Sequence, residues 1–233
     1  MAGNNHERGS TARERGRVPT TPPAIGILAL QGDYAAHAAA VTRLGATPRL
    51  VRTPADLTVV AGLILPGGES TTMLRLLERE GLEDQVRDFT ATRPTFGTCA
   101  GLILLARGVT DPNQRSFGVL DIDVARNAYG RQVDSFMGEV EITSVAPGDP
   151  IEGVFIRAPR IARIGPQGTV LGRLVATGEP VLVAQGHLLG ATFHPELTAD
   201  PRVHRLFLAC VAGGAEPWYG PRATPPSMEV RAS

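Results

Sequence analysis

Residues 94–105 read PTFGTCAGLILL, and at Cys99 a short apolar run gives way to a longer one. Gly97 and Gly101 flank this cysteine in the G-x-nucleophile-x-G pattern of a sharp turn from a strand into a helix. Glycine is expected at both positions because the strand and the helix crowd each other there and leave no room for a Cβ atom. The stretch therefore predicts a strand, a strained turn that carries Cys99, and a helix.

The residues before this turn alternate between short apolar runs and helix-like segments. We predict strands at 25–30, 47–51, 62–65 and 95–97, and helices at 34–44, 71–79, 83–90 and 100–106. Strands that alternate with helices in this way form a mostly parallel sheet with helices on both faces. The expected fold is therefore α/β, a flavodoxin-like three-layer sandwich.

The pattern changes after residue 109. Short and often alternating apolar runs follow at 117–124, 138–143, 153–156, 170–176, 181–185 and 189–192, and a helix is predicted at 201–211. The short runs predict antiparallel strands and hairpins that extend the central sheet in the C-terminal half. Ligands of open α/β sheets lie beyond the carboxyl ends of the strands, where this sequence places residues 31–32, residues 67–70 and Cys99.

The composition indicates a soluble globular protein. The chain has 233 residues, 42% of them apolar, and its net charge of +0 gives no electrostatic reason to expect binding to nucleic acid or to a membrane. Two cysteines, Cys99 and Cys210, are too few for a disulfide framework and favour a reducing cytoplasm. We expect neither a membrane span nor a secretory signal, because no apolar run has the required length or position.

Both ends of the chain differ in composition from its middle. Residues 1–23 carry Arg, Gly, Thr and Pro with few apolar side chains, and residues 213–233 are again rich in Pro and Gly. Segments with so little to bury are typical of disorder. We therefore expect one folded domain at 24–212 between a disordered N-terminal extension and a flexible C-terminal tail.

Cys99 is the candidate nucleophile. It is predicted at the start of a helix, whose positive end favours a negatively charged sulfur. The N–H of Ala100 is available there to stabilise an oxyanion. The alternative is a buried structural cysteine, which is how we interpret Cys210 on the apolar face of the last helix. The flanking glycines favour the nucleophile for Cys99.

A nucleophilic sulfur needs a proton carrier, and His194 has the neighbours that suit this role. It ends a predicted strand, and Pro195 restricts it to an extended backbone. Glu196, two residues along an extended segment, is expected to project to the same side and to orient the imidazole as the third member of a triad. The alternative is a surface turn with incidental charges. The other histidines, His6, His37, His187 and His204, lack such neighbours.

Residues 66–70, PGGES, form a second glycine-rich turn from a predicted strand into a predicted helix. One interpretation is a tight turn with Ser70 as the N-cap of the helix. The other is a loop whose N–H groups face a reacting carbonyl, with the Gly68 N–H completing an oxyanion hole with that of Ala100. A phosphate loop of the Walker type is excluded because no Lys-Ser or Lys-Thr pair follows.

Taken together, PGGES, GTCAG and HPE resemble the motifs of the class I, or triad, glutamine amidotransferases. Four longer segments are similar to the glutaminase subunits of pyridoxal 5′-phosphate synthases: ALQGDYAAH (29–37), LILPGGESTTM (63–73), RNAYGRQVDSF (126–136) and FIRAP (155–159). The resemblance extends from about residue 25 to residue 209. The two terminal extensions are the parts that such a family does not require.

This resemblance implies that Cys99 attacks the carboxamide of L-glutamine while Gly68 and Ala100 hold the oxyanion. His194, oriented by Glu196, would protonate the leaving ammonia and then activate water. The substrate-binding residues implied are Gly67, Gly68, Glu69, Arg126, Ile156 and Arg157. By charge, either arginine suits the α-carboxylate of glutamine, and the glutamate suits its α-ammonium. Neither a metal nor a cofactor is implied.

The resemblance also implies a partner, a separate synthase subunit in a large hetero-oligomer. That subunit combines the ammonia with ribose 5-phosphate and glyceraldehyde 3-phosphate to form pyridoxal 5′-phosphate. The loop at 31–33 is a candidate contact with it, and a peptide flip at Gly67–Gly68 is a candidate switch. Three alternatives stay open: a triad glutaminase of another biosynthetic complex, a cysteine hydrolase on the same fold, and a non-catalytic module.

Overall fold

The computed structural model describes residues 23–126, 135–142 and 148–213. Almost all of the predicted extension at 1–23 and tail at 213–233, and residues 127–134 of the RNAYGRQVDSF segment, lie outside these ranges.

The strands are β1 (Ala24–Leu28), β2 (Thr47–Val51), β3 (Gly62–Leu65), β4 (Thr95–Thr98), β5 (Ala106–Thr110), β6 (Leu120–Ala125), β7 (Ser135–Ile142), β8 (Ile151–Ile156), β9 (Arg160–Ile164), β10 (Thr169–Leu174), β11 (Pro180–Gln185) and β12 (Leu188–Ala191). The helices are α1 (Tyr34–Arg43), α2 (Pro54–Leu57), α3 (Ser70–Arg79), α4 (Glu83–Thr92), α5 (Ala100–Leu105) and α6 (Arg202–Val211), with a 3₁₀ turn at Pro195–Leu197. Among the described residues, no helix has both the length and the apolar character needed to cross a membrane.

One central sheet contains nine of the described strands in the order β2-β1-β3-β4-β12-β11-β10-β7-β8. Strand β1 pairs in parallel with β2 and β3, and β4 pairs in parallel with β3 and β12. The pairs from β12 to β8 are antiparallel. The predicted α/β fold, with antiparallel additions in the C-terminal half, is confirmed.

Strand β12 is where the two halves of the sheet meet. The strand predicted as an antiparallel addition at 189–192 is antiparallel to β11 but parallel to β4, with Leu189 opposite Phe96. The prediction is therefore wrong for its pairing with β4. All residues of β12 are buried, and a strand covered on both faces reads as a continuous apolar run rather than an alternating one. As a result, the segment after β12 starts at the same sheet edge as Cys99.

The predicted strand at 117–124 does not extend the central sheet, which corrects the sequence interpretation. Strand β6 pairs instead with β5 and β9 in a separate three-stranded sheet. Its Leu120, Ile122 and Val124 are buried and alternate with half-buried residues. They belong to the same hydrophobic cluster as Leu102 of α5. A strand with one apolar face has to be covered on that face alone, and the apolar face of β6 is buried in this cluster.

Three short elements, α2, β5 and β9, are absent from the sequence prediction. Helix α2 is a single turn, capped where Asp56 Oδ2 accepts from the N–H and the hydroxyl of Thr53 at 2.8 and 2.9 Å. So short a helix shows no apolar period. Strand β5 begins at Ala106, so the helix predicted at 100–106 ends one residue early. Strands β5 and β9 have few buried residues and therefore no clear alternation.

The parallel strands bury their side chains in two hydrophobic clusters, one on each face of the sheet. Leu63 and Leu65 of β3 belong to the cluster that includes α3, α4 and α5, whereas Ile64 belongs to the cluster that includes α1 and α6. Helices therefore cover both faces, as a three-layer sandwich requires. The carboxyl ends of β1, β3, β4 and β12 lie at one edge of the sheet, where open α/β folds bind their ligands.

Candidate active site

Cys99 lies on the sharp turn between β4 and α5, so the predicted strand–turn–helix unit is confirmed. Its backbone has φ 47° and ψ −102°, a conformation that residues other than glycine rarely adopt. The Cys99 N–H donates to the Ala191 carbonyl at 2.9 Å, and the Cys99 carbonyl accepts from the Ile103 N–H at 3.1 Å. The surrounding structure thus holds the cysteine in a strained position at the sheet edge.

The glycines on either side of Cys99 are required by close packing. A Cβ atom at Gly97 would lie 2.6 Å from the carbonyl carbon of Gly101, and one at Gly101 would overlap the carbonyl oxygen of Leu65. These neighbours are backbone atoms, which cannot yield unless a strand or the helix moves. Helix α5 therefore packs directly on the backbone of β3 and β4.

The N–H of Ala100 is the first of α5, and the first N–H groups of a helix have no acceptor within it. It is therefore available to an oxygen bound beside Cys99. Gly68, the other predicted oxyanion donor, has φ 143°, and a Cβ there would lie 2.7 Å from Nε2 of Gln31. The oxyanion hole itself stays a prediction.

His194 and Glu196 form a buried pair at the same edge, with His194 Nδ1 2.7 Å from Glu196 Oε1. The expectation that both residues lie in an extended segment is wrong, because Pro195–Leu197 is a 3₁₀ turn. The fixed φ of a proline suits the first residue of a helical turn. The contact expected from the HPE motif therefore exists, but it forms through a turn rather than through strand alternation.

The charges around His194 favour its protonated form. Burial lowers the pKa of this imidazole, but hydrogen bonds with Cys99 and Glu196 raise it to about 10. Burial also disfavours the charged form of Glu196 and so raises its pKa, but His37 and His194 hold this pKa well below its usual range. The site thus places an imidazolium between an ionised carboxylate and a cysteine sulfur. Such an arrangement can activate a sulfur nucleophile and give a proton to a leaving group.

The PGGES loop lies against His194 and against the loop that follows β1. A Cβ at Gly67 would overlap the His194 ring, and a Cβ at Gly32 would overlap the Gly67 carbonyl oxygen. Gln31 joins the same two loops, because its Nε2 donates to the Glu69 carbonyl at 2.8 Å and its Oε1 accepts from the Glu69 N–H at 3.3 Å. The two loops therefore form one unit at the edge of the site.

Glu69, rather than Ser70, is the N-cap of α3. Its carboxylate accepts hydrogen bonds from the Thr71 N–H at 3.2 Å and from the Thr72 N–H at 2.6 Å. Partial burial raises the pKa of this carboxyl, but the bonds from Thr72 and Thr71 lower it to about 2. Arg126 Nη2 lies 3.1 Å from the same carboxylate. Glu69 and Arg126, which the family resemblance assigns to substrate binding, are thus paired with each other.

A cavity of about 220 Å³ lies between these elements. The predicted site residues that line it are Gly67, Gly68, Glu69, Cys99, Arg126, Ile156, Arg157 and His194, so that only Ala100 and Glu196 are not on its wall. The Ile156 carbonyl lies 3.8 Å from Cys99 Sγ, and Arg157 has φ 43°, a second strained backbone beside the cavity. The structure also adds Gly32, Asp33, Ser70 and Ile103 to the lining.

His37 and His204 lie near the site and were not found by sequence reasoning. His37 of α1 is fully buried, and its Nε2 lies 3.4 Å from Glu196 Oε2. Its Nδ1 lies 3.1 Å from His204 Nε2 on α6, 167 residues along the chain. A search for local spacing cannot find such contacts. The one available signal is that each histidine shares a helix face with apolar residues.

The fold and the site define the class of protein. A solved structure described as a glutamine amidotransferase is 46% identical, with a TM-score of 0.73 and a match that covers 80% of this chain and 98% of that one. Residues 27–212 match the model of the SNO glutamine amidotransferase family, and the chain belongs to this family.

Two relatives extend the comparison to particular proteins. The pyridoxal 5′-phosphate synthase subunit PdxT of Solibacter usitatus (strain Ellin6076) is 56% identical over 190 residues, which cover 79% of this chain and 97% of that protein. The subunit PdxT of Koribacter versatilis (strain Ellin345) is 53% identical over 190 residues, which cover 82% and 96%. The family resemblance inferred from the motifs is thereby confirmed.

We expect Gly101→Ala to lower the free energy of unfolding by about 1–3 kcal/mol or more, because the new methyl group forces α5 away from Leu65. Urea unfolding measures the effect. Gly45→Ala is the control, since a Cβ there has open space and meets only the backbone strain of φ 81°, about 1 kcal/mol. Equal stability of Gly101→Ala and the unchanged protein would contradict the packing described for the turn.

Glu69→Gln should reduce stability in a pH-dependent way. Because the folded-state pKa of Glu69 lies near 2 and the ordinary value is 4.5, its carboxylate stabilises the fold above pH 4.5 and loses this effect as the pH falls toward 2. The difference in Tm between the two proteins should therefore be largest at neutral pH and narrow below pH 4.5. Glu80→Gln, at the other end of α3, is the control. A difference that stays constant from pH 7 to pH 3 would rule out the capping charge.

Proposed function

We propose that the chain hydrolyses L-glutamine to L-glutamate and ammonia as the glutaminase subunit of a pyridoxal 5′-phosphate synthase. The observation that carries this proposal is the 2.7 Å contact between His194 Nδ1 and Glu196 Oε1, beside a cysteine on a strand-to-helix turn. Membership of a glutamine amidotransferase family supports the reaction, and the names of the two PdxT relatives support the pathway.

In the first half of the reaction, the Cys99 sulfur attacks the carboxamide carbon of glutamine, and the carbonyl oxygen becomes an oxyanion. The N–H groups of Ala100 and Gly68 donate to that oxygen. The C–N bond then breaks while protonated His194 gives its proton to the leaving nitrogen. The products are ammonia and a glutamyl thioester, and Glu196 keeps the imidazole in the orientation that this transfer needs.

In the second half, water attacks the thioester carbon. His194, now neutral, takes a proton from the water as the C–O bond forms. The C–S bond breaks, L-glutamate leaves, and the negatively charged sulfur returns to its place beside the protonated ring. One water is consumed for each glutamine, and the balance needs no further reactant.

The charges of the cavity match those of free glutamine. Glu69 and Arg126 lie 3.1 Å apart, and Arg157 is on the same lining. We assign Glu69 to the α-ammonium and one of the arginines to the α-carboxylate, because charge-assisted hydrogen bonds orient such a substrate. Gly67, Gly68 and Ile156 are assigned to the remaining contacts with glutamine. A cavity of about 220 Å³ suits an amino acid better than a peptide.

The ammonia acceptor in this proposal is a synthase subunit that binds over the loop after β1. Gln31 bonds both backbone groups of Glu69, so a partner that moves the first loop also moves the second. The Gly67 carbonyl lies against Gly32. Rotation of the Gly67–Gly68 peptide would reverse the directions in which this carbonyl and the Gly68 N–H point. Partner binding would thereby complete the oxyanion hole.

The catalytic unit of the proposal is the domain at 24–212, with the extension at 1–23 and the tail at 213–233 outside it. We assign it to the cytoplasm because both cysteines are free thiols and a reducing compartment keeps the nucleophile available.

Cys99→Ala should abolish glutamate release from L-glutamine, with a loss of about 10³-fold or more, because Cys99 is the one cysteine among the described residues that line the cavity. Glutamate is measured with and without the cognate synthase subunit. Cys210→Ala is the matched control, since this second buried cysteine lies on α6 and away from the cavity. It should keep full activity.

Hydrolysis that survives Cys99→Ala unchanged would overturn the proposed mechanism. Stimulation by the synthase subunit of a different ammonia-using pathway, but not by that of pyridoxal 5′-phosphate synthase, would assign the chain to another complex. Cleavage of esters or peptides without release of glutamate from glutamine would identify a cysteine hydrolase.

Glu196→Gln should slow glutamine turnover, but about 10- to 100-fold less than Cys99→Ala does, because the third member of a triad orients the base and does not react itself. The measurement is kcat in the complex with the synthase subunit. A loss equal to that of Cys99→Ala would show that Glu196 does more than orient His194.

A further inference from the structure

His37 is a buried histidine beside the catalytic pair to which the mechanism gives no role. It lies on α1 with no solvent exposure, and its Nε2 atom is 3.4 Å from Oε2 of Glu196. The other carboxylate oxygen, Oε1, is bonded with His194 at 2.7 Å. The two oxygens of one buried carboxylate are therefore faced by two imidazole rings.

Oε2 of Glu196 has no hydrogen-bond partner in the part of the chain that the structure describes. A buried carboxylate oxygen without a donor is costly. The 3.4 Å separation from His37 exceeds a normal hydrogen bond by about half an ångström. Catalytic hydrogen bonds are often long before substrate binds and shorten in the reacting complex. The Nε2 atom of His37 lies beside this oxygen, and the same atom lies 3.2 Å from Oγ1 of Thr98.

We assign a hydrogen to Nε2 of His37. This nitrogen faces the Glu196 carboxylate, which can only accept a hydrogen bond. On the other side of the ring, Nδ1 lies 3.1 Å from Nε2 of His204. Burial, and after it the electrostatic effect of His37, lowers the pKa of His204 to about 3, so His204 is neutral at physiological pH. A neutral imidazole either donates or accepts according to its tautomer, and His204 thus suits both forms of His37.

His37 also contacts the strand that carries the nucleophile. Its Nε2 lies 3.2 Å from Oγ1 of Thr98, the last residue of β4 before Cys99. One ring therefore joins the first helix, the nucleophile strand, the turn of Glu196 and, through His204, the last helix. The position of the carboxylate is set relative to the same strand that positions the sulfur.

We propose that His37, with His204 behind it, is a positioning residue of the glutaminase reaction that holds the Glu196 carboxylate in the orientation that His194 requires. This inference rests on the proposed glutaminase function. His37 does not line the cavity, so it acts on turnover through Glu196 and leaves the binding of glutamine unchanged.

The charged groups around this chain of residues come from several elements. Cys99 acts on His194 from the strand-to-helix turn, and Asp33 places a carboxylate oxygen within 4.8 Å of the His194 and Glu196 side chains. Arg43 acts on His204 from α1. Loss of the His37 donor frees the carboxylate to turn away from the His194 ring. Because that carboxylate raises the pKa of His194, the alkaline limit of activity should move to lower pH.

The test compares His37→Gln, His37→Asn and His37→Leu in the complex with the cognate synthase subunit. The amide N–H of glutamine reaches the place of Nε2, that of asparagine the place of Nδ1, and leucine removes both. We expect His37→Leu to lower kcat about 10- to 100-fold, with the KM for glutamine changed by less than about twofold. His37→Gln should recover most of the loss and His37→Asn little. The alkaline limb of the pH profile of activity should move to lower pH in His37→Leu and stay in place in His37→Gln.

A second measurement needs no synthase subunit. The rate at which iodoacetamide alkylates Cys99, followed by mass spectrometry, reports on the sulfur and its imidazolium directly. We expect slower alkylation at neutral pH in His37→Leu than in His37→Gln. His187→Gln is the control for loss of a histidine, because His187 lies outside the cavity, where it bonds the Thr90 carbonyl at 3.0 Å. This variant should change neither kcat nor the rate of alkylation.

Circular dichroism establishes that each variant is folded, and His37→Asn replaces His37→Leu in the comparison if leucine prevents folding. The inference is overturned if His37→Leu keeps the kcat and pH profile of the unchanged protein. It is also overturned if His37→Gln loses as much activity as His37→Leu, which would indicate packing alone. Absence of glutamine hydrolysis in the unchanged complex would count against the proposed function, and the alkylation rates would still decide the role of His37.

Discussion

The structure depends on one close contact, in which α5 packs on the backbone of β3 and β4 with no side chain between them. Glycine at 97 and 101 makes this possible, since a Cβ at either position would collide with backbone atoms. The contact forces Cys99 into a strained conformation at the sheet edge and brings the N–H groups at the start of the helix beside its sulfur. The strain is supported by the packing of the whole parallel half of the sheet.

The second feature that organises the site is a buried negative charge. Glu196 is removed from water, which disfavours its ionised form, yet the imidazoles of His194 and His37 keep it ionised. The carboxylate in turn favours the imidazolium of His194, although burial acts against it. Each charge in this group is stable only because its neighbours are in place. A proton carrier with fixed orientation is the result, and the proposed amide hydrolysis needs such a group in both of its halves.

The loops around the cavity contact one another directly. Gln31 bonds the backbone of Glu69, Gly32 leaves room for the Gly67 carbonyl, and Gly67 leaves room for the His194 ring. The loop after β1 is therefore linked to the loop of the predicted oxyanion donor by direct contacts. This geometry suits an enzyme whose activity is proposed to depend on a partner that receives its ammonia, because unpartnered hydrolysis would waste glutamine.

The amino-acid sequence by itself determined the local features: the glycines around Cys99, the order of the strands and longer helices from β1 to α5, and the pairing of His194 with Glu196. These depend on residues that are neighbours in the chain, so spacing and residue type suffice to predict them. The tertiary structure alone decided that Glu69 rather than Ser70 caps α3, that β6 leaves the central sheet for a second one, and that His37 and His204 lie behind the catalytic pair. Those outcomes depend on which distant surfaces meet when the sheet and its helices pack, and no local pattern in the sequence records them.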